Sequence, residues 1–312
     1  MTSAQMAGGR LSVCPTPIGN MEDITLRVLS TLAQADVVAC EDTRHTRILL
    51  SRHGIATPLV SLHERNEGRR ARELARRVRA GERVALVSDA GTPLISDPGF
   101  ALVRACLDTE LPVEVLPGPS AVLTALVASG MPAARWCFVG FLPRRGAELG
   151  ELLANAGEAL VAFESPHRLS ETLRRLAGQD PERELAVCRE LTKLHEEVRR
   201  GSAASLASHY AARGRQGAAV RGEITLVISP ADRSRAGRER ALRALGELVA
   251  AGARPRAAAS ALAGLTGLGA NELYRELVAC QGTRRPGDGA AARRSPPRSG
   301  RAAAPPRRQG GR

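Results

Sequence analysis

The stretch CRELTKLHEE, residues 188–197, gathers Arg189, Glu190, Lys193, His195 and Glu196. Lys193 is the single lysine among 45 Lys and Arg residues. An ammonium can lose its proton, whereas a guanidinium effectively cannot. Lys193 is therefore the one basic side chain of its kind that can serve as a proton acceptor or as a charge. A second polar group, ESPHRL (164–169), brings Glu164, His167 and Arg168 to the end of an apolar run. Glu164, His167, Glu190 and Lys193 are the candidate acid–base residues, with Asp23 a further carboxylate. Arg168 can clamp phosphate or carboxylate in a fork. Arg44, in EDTRHTR, and Arg189 stand at similar strand ends and are candidate phosphate contacts. Each group has a plainer reading, because exposed Glu–Lys and Glu–Arg neighbours also form surface ion pairs of little energy.

Three further segments have the build of ligand loops. VSDAGTPLISDPG (87–99) is too long for a tight turn and sits where loops carry function. TPIGNMEDIT (16–25) is either a backbone turn close to a ligand or a turn followed by a helix capped at Asp23. In LPGPSAVLTALVASG (116–130), Pro119 and Ser120 mark a helix start, with free N–H groups for a ligand or simply a cap. The chain has no GxGxxG and no GxxxxGK[ST], which disfavours a dinucleotide fingerprint and a P-loop. It has no CxxC and no His/Cys/Asp cluster at ligand spacing. The six cysteines therefore read as buried thiols, and no metal is expected.

The elements that position these groups alternate between strand and helix patterns. RLSVCPT, DVVAC, PLVSLH, RVALVSD and VEVLPG are strand-like, with amphipathic helices between them and Gly54 and Gly81 at helix C-cap positions. This pattern predicts an α/β domain with a mostly parallel sheet over residues 10–117. CFVGFL, ALVAFES, ELAVCREL, EVRRG and GEITLVISP begin a second alternating series, giving a second α/β domain over 118–229. Residues 236–280 read as a helical, helix-turn-helix-like block around LTGLGAN. So many polar strand ends predict one large cleft between the α/β domains.

The net charge is +13, and aromatic residues are 2% of the chain, too few for a base-stacking platform. Phosphate binding would fall to arginine, as in Arg69, Arg70, Arg72, Arg76 and Arg77, a run that also fits a solvated helix face. Residues 281–312 hold nine arginines, one aspartate and five prolines, so a disordered basic tail is expected, suited to RNA or simply solvated. No apolar run is long enough to span a bilayer, and the start has no apolar h-region. The expected setting is cytoplasmic.

TPIGNMEDIT, EDTRHT, VSDAGTPLISDPG, LPGPSA, GFLPR, ESPHR and RELTK together resemble the ribosomal RNA small-subunit methyltransferase I family. That family belongs to the tetrapyrrole-methylase-like, class III methyltransferases. The resemblance covers about residues 10–280, with Arg65 where histidine is common and Phe163 where tyrosine is common. It implies two αβα domains of the tetrapyrrole-methylase type around a cleft that binds S-adenosylmethionine (SAM). It implies a homodimer and, as substrate, 16S rRNA or the small ribosomal subunit, methylated on the 2′-hydroxyl of cytidine 1402. It assigns the cofactor to Ser88, Asp89, Ala90, Gly91, Thr92 and Pro93. Pro17, Ile18, Gly19, Ser120 and Ala121 assist. A small-molecule or protein acceptor, and a non-catalytic RNA-binding assembly factor, are the alternatives.

Overall fold

The computed structural model describes residues 8–215, 219–231, 233–266 and 268–282. These fall into two compact units, Met1–Arg233 and Ser234–Arg312.

The first unit is built on two five-stranded sheets. In the first, β1 (Arg10–Cys14), β2 (Val37–Cys40), β3 (Leu59–Ser61), β4 (Arg83–Val87) and β5 (Val113–Val115) run parallel in the order β3-β2-β4-β1-β5. The helices α1 (Leu26–Gln34), α2 (Thr43–Arg52), α3 (Glu67–Arg79) and α4 (Phe100–Leu107) cover both faces. Leu11, Val13, Val84 and Leu86 pack with Leu74 and Leu102 on one side. Cys14, Val38, Ala85 and Val87 pack with Val28, Leu32 and Leu50 on the other. A parallel sheet buried on both faces explains the continuous apolar runs of its strands. Thr25, and not Asp23, caps α1, its hydroxyl accepting from the Val28 N–H at 3.1 Å. Gly54 and Gly81 take positive φ just beyond α2 and α3, as helix ends favour.

The second sheet has the order β6-β7-β10-β8-β9. β6 (Trp136–Phe141) is parallel to β7 (Ala159–Glu164). β8 (Glu184–Arg189), β9 (Glu197–Ser202) and β10 (Ile224–Ile228) pair antiparallel. α6 (Gly146–Asn155), α7 (Leu169–Gln179) and α8 (Ala203–Arg215) pack on one face. α5 (Ala121–Ser129) packs on the other through Val122, Ala125 and Leu126. Ile18, from the loop after β1, joins that same cluster, so the turn of the first sheet is anchored in the core of the second. Cys14 and Cys188 are buried, which pushes their thiols up to about 12 and about 11 and leaves them unreactive.

The second unit is a helical cluster of α9 (Arg233–Ala250), α10 (Pro255–Thr266) and α11 (Ala270–Gly282). Its core holds Ala241, Leu245, Ala258, Ala259, Leu273 and Leu277. Residues 281 and 282 extend α11, and the rest of the basic tail, 283–312, lies outside the described residues.

Candidate functional site

The turn after β1 and the long loop after β4 are bound to each other. Thr16 and Gly91 exchange backbone hydrogen bonds of 2.9 and 3.0 Å. The Thr16 hydroxyl donates to the Ser88 carbonyl, and the Ser88 hydroxyl donates to the Gly91 carbonyl. Thr92 donates to the Pro119 carbonyl at 3.1 Å, which ties the loop to the start of α5. Ser120 caps that helix, its hydroxyl accepting from the Leu123 N–H. Leu94 and Ser96 hold φ of 73° and 70°, sparsely populated for residues with a side chain. Such backbone strain gathers where a loop is shaped for a ligand.

These segments line a cavity of about 520 Å³ together with residues of the second sheet. Of the expected cofactor residues, Ile18, Asp89, Ala90, Gly91, Thr92, Ser120 and Ala121 line it. Pro17, Gly19, Ser88 and Pro93 are not among its lining residues. The walls also carry Glu41, Asp97, Glu164 and Glu223, so with Asp89 five acidic residues line the cavity, of which Glu164 has its side chain fully buried. No Lys, Arg or His is among the described residues that line it. Phe141, Phe163, Val122 and Ile95 supply apolar wall. In a chain of net charge +13, this wall suits a cationic ligand with an apolar or aromatic body.

The carboxylates feel one another. Burial, then the charges of Glu41, Asp89 and Glu223, push Asp97 up to about 7 from 3.8. Burial and the charge of Asp89 also raise Glu41. The folded state therefore binds the Asp97 proton more tightly than the unfolded state does. Folding loses stability as pH rises from about 4 to about 7. Asp97→Asn is expected to remove that loss. It should gain on the order of 1–2 kcal/mol at pH 8 after solvent screening and almost nothing at pH 4. Thermal unfolding across that range checks it, and an equal gain at both ends would refute the assignment.

Lys193 lies one residue removed from the cavity wall. Its ammonium donates to Glu190 and to Glu223, each at 2.9 Å. The Glu223 N–H donates to the same Glu190 oxygen as Lys193 does, at 2.9 Å. Gly222 makes this possible: its φ is +90°, and a Cβ there would lie 2.3 Å from the Glu190 carboxyl carbon. The turn that carries Lys193 is itself strained, with Glu190 at φ 51° and Thr192 at φ 65°. Burial by itself lowers the Lys193 ammonium, but its bonds to Glu190 and Glu223 outweigh that and hold it above its usual range. Burial alone raises Glu190, while the hydrogen bonds from Lys193 and the Glu223 N–H bring it below its usual range. The two roles open to Lys193 are thus not equally supported. Its ammonium is held here as a donor to two carboxylates.

The remaining sequence candidates are spread differently. Glu164 is 2% exposed, accepts from Thr172 at 2.6 Å and from the Ser165 N–H at 2.7 Å, and pairs with Arg168 at 3.3 Å. Its oxygens are committed to holding α7 on β7. Arg168 donates to the carbonyls of Leu142 and Pro143, so its fork fixes the loop after β6 instead of meeting a phosphate. Arg189 pairs with Glu197 at 3.1 Å, where its side chain is 13% exposed. The arginine available to a large ligand in this set is Arg44, which is 90% exposed and pairs only with Asp42. His167 is exposed on the turn before α7.

Sequence reasoning missed Glu41 and Asp97 as wall residues, though both fall inside motifs it singled out. It missed Gly222 and Glu223 altogether, because a lone Gly-Glu before a strand carries no local signal. Among the described residues no group of three or more His, Cys, Asp and Glu is placed to hold a metal ion. No helix among them is long and apolar enough to cross a membrane.

Residues 10–207 match the family model of the Tetrapyrrole (Corrin/Porphyrin) Methylases. The chain is 44% identical over 283 residues to "Ribosomal RNA small subunit methyltransferase I" of Mesorhizobium japonicum, covering 89% of this chain and 95% of that protein. It is 43% identical over 223 residues to the protein of the same description from Thermotoga maritima, covering 71% of this chain and 98% of that one. A solved uroporphyrin-III-C-methyltransferase from Thermus thermophilus shares the fold, with a TM-score of 0.51 at 23% identity. It covers 71% of this chain and 94% of its own. With the fold, the loop-lined cavity and identity at that level over nearly the whole of a relative, the chain belongs to the ribosomal RNA small subunit methyltransferase I family of tetrapyrrole-methylase proteins.

Proposed function

We propose that this SAM-dependent rRNA methyltransferase methylates the ribose 2′-hydroxyl of cytidine 1402 in the decoding region of 16S rRNA. The observation that carries the reading is the acidic wall without a base, with Glu41, Asp89, Asp97 and Glu223, set beside the Lys193 network. SAM bears a sulfonium and an ammonium, and the fit to such a wall is good. Ile18, Asp89 to Thr92, Ser120 and Ala121 would hold it, and the carboxylates would face its positive charge. When bound, it supplies an electrophilic methyl group.

The chain's own contribution is position, charge and dryness. Phe141, Phe163 and Val122 exclude water from the apolar side of the cavity. Lys193 donates to the incoming hydroxyl oxygen and stabilises negative charge as it develops there, while the hydroxyl proton passes to the Glu223 carboxylate on the wall and from there to solvent. Glu190 and Glu223 hold the ammonium in place while it does so. Arg44, with its side chain 90% exposed, would meet RNA phosphate. A second copy of the chain belongs to the same proposal. α5 leaves Leu123 52% and Val127 80% exposed, one turn apart on one face, and sedimentation as a monomer would remove that part.

The deciding experiment supplies labelled SAM and small subunits isolated from a strain without the enzyme. The expected product is a single 2′-O-methylated cytidine at the proposed position. Label on a base, at another nucleotide or on protein overturns the reading.

A further inference from the structure

The arginines of α3 divide into two sets. Arg70 pairs with Glu73 at 2.8 Å and Arg77 pairs with Glu82. Arg69, Arg72, Arg76 and Arg79 are exposed and form no ion pair among the described residues. Arg76 donates only to the Arg72 carbonyl of its own helix. Their spacing of three, four and three residues places them on one helix face. The buried residues Ala71, Leu74 and Val78 occupy the opposite face. Arg65, exposed in the loop ahead of the helix, lengthens the row.

The acids of α3 and of the turn after it are occupied. Glu73 and Glu82 hold Arg70 and Arg77. Glu67 accepts from the Gly99 and Ala101 N–H groups, each at 2.9 Å. Like charges three and four residues apart repel on a helix, so the row works against the helix that carries it. Neighbouring Cβ atoms in such a row are about 5–6 Å apart, and ten residues span about 15 Å. The row also has a fixed relation to the cavity. Glu67 bolts the first turn of α3 to the end of the loop whose residues 89–92 and 95–97 line the cavity wall.

We propose that this exposed arginine face of α3 is a phosphate-binding track that holds the backbone of the substrate rRNA next to the cavity. The proposal rests on the reading of the protein as an rRNA methyltransferase and names where that RNA is gripped. Guanidinium forks suit phosphate oxygens, and a row without acids has a net attraction for a polyanion. The track reads no bases. It contributes affinity and orientation, while the cavity selects the reacting nucleotide.

The test replaces Arg69, Arg72, Arg76 and Arg79 together with glutamine. Binding to unmodified small subunits is then measured across a salt series. Loss of four phosphate contacts is expected to flatten the plot of log affinity against log salt by about 3. At moderate salt the KM for subunits should rise at least tenfold, with kcat at saturation and SAM affinity by calorimetry within twofold of wild type. The melting temperature should hold or rise, since repulsion is relieved. An unchanged salt slope in a variant that folds, alongside a wild type that methylates subunits, overturns the track and leaves the function standing. A melting temperature that falls together with SAM affinity shows a structural role and also overturns it. A wild type that neither binds nor methylates subunits takes both down.

Discussion

Lys193→Ala is expected to lower turnover by about 10²–10³-fold while SAM affinity stays within a few-fold. That is the usual loss when a preorganised donor to a developing oxyanion is removed. The alanine variant also leaves Glu190 and the wall residue Glu223 without their shared cation, beside the other acids of the wall, Glu41, Asp89 and Asp97. A hydroxyl that must shed its proton is then surrounded by negative charge, which opposes the reaction. Lys193→Arg separates charge from proton transfer. A guanidinium can still bridge two carboxylates and donate, but it cannot take up a proton. Because the lysine's folded-state pKa is raised, its charge persists through the neutral range and is lost only well above it. The arginine variant should therefore keep turnover within about tenfold of wild type. Its kcat–pH profile should run parallel to wild type between pH 6 and 9. If Lys193→Arg is as poor as Lys193→Ala while still binding both substrates, the lysine acts through its proton and the present account of it is wrong.

Gly19→Ala should be nearly as damaging, for a steric reason. A Cβ at this position would lie 2.4 Å from Lys193 Cγ, 2.8 Å from Thr192 Oγ1 and 2.9 Å from the Leu191 carbonyl oxygen. The turn it would strike has little room to retreat. Glu190 and Thr192 are already in left-handed conformations, the Thr192 N–H donates to Glu196, and the Thr192 hydroxyl accepts from the Asn20 N–H at 3.0 Å. The strain is relieved by moving the first sheet's turn away from Lys193. Displacement on the order of 1 Å at a reacting centre costs about 10²-fold in rate. Overpacking of this kind costs about 1–3 kcal/mol of stability. Gly68→Ala is the matched control, because nothing lies within 4 Å of its would-be Cβ and alanine favours a helix. Unfolding curves and kcat for the two variants check the contrast. A Gly19→Ala enzyme with wild-type turnover would mean that the two turns are not held in register at all.

Both predictions turn on partners that are far apart in the chain, which sets what could be read from sequence. The strands of the first sheet were legible because a sheet covered on both faces needs unbroken apolar runs. The polar loops at their ends were legible as breaks in that pattern. α6 was not, since Gly146 and Gly150 weaken its helical pattern while Leu149 and Leu153 bury it against the second sheet. Lys193 could be singled out by residue type. Its protonation depends on Glu223, thirty residues later and brought close by β10 pairing with β8. Arg168 and Arg189 had the chemistry for phosphate. Carboxylates and carbonyls at their folded positions claimed them first. Asp97 was visible as a loop aspartate, but its raised pKa arises only when Glu41, Asp89 and Glu223 converge on it.

The near-absence of lysine has a consequence for how this enzyme meets changes in acidity. Guanidinium groups keep their charge throughout the physiological range. The outer grip on a polyanion is therefore the same in mildly acid and mildly alkaline surroundings. Sensitivity near neutrality is placed inside, at Asp97. Capture of the substrate and readiness of the cavity thus answer to different conditions: salt loosens the first, and protons tune the second.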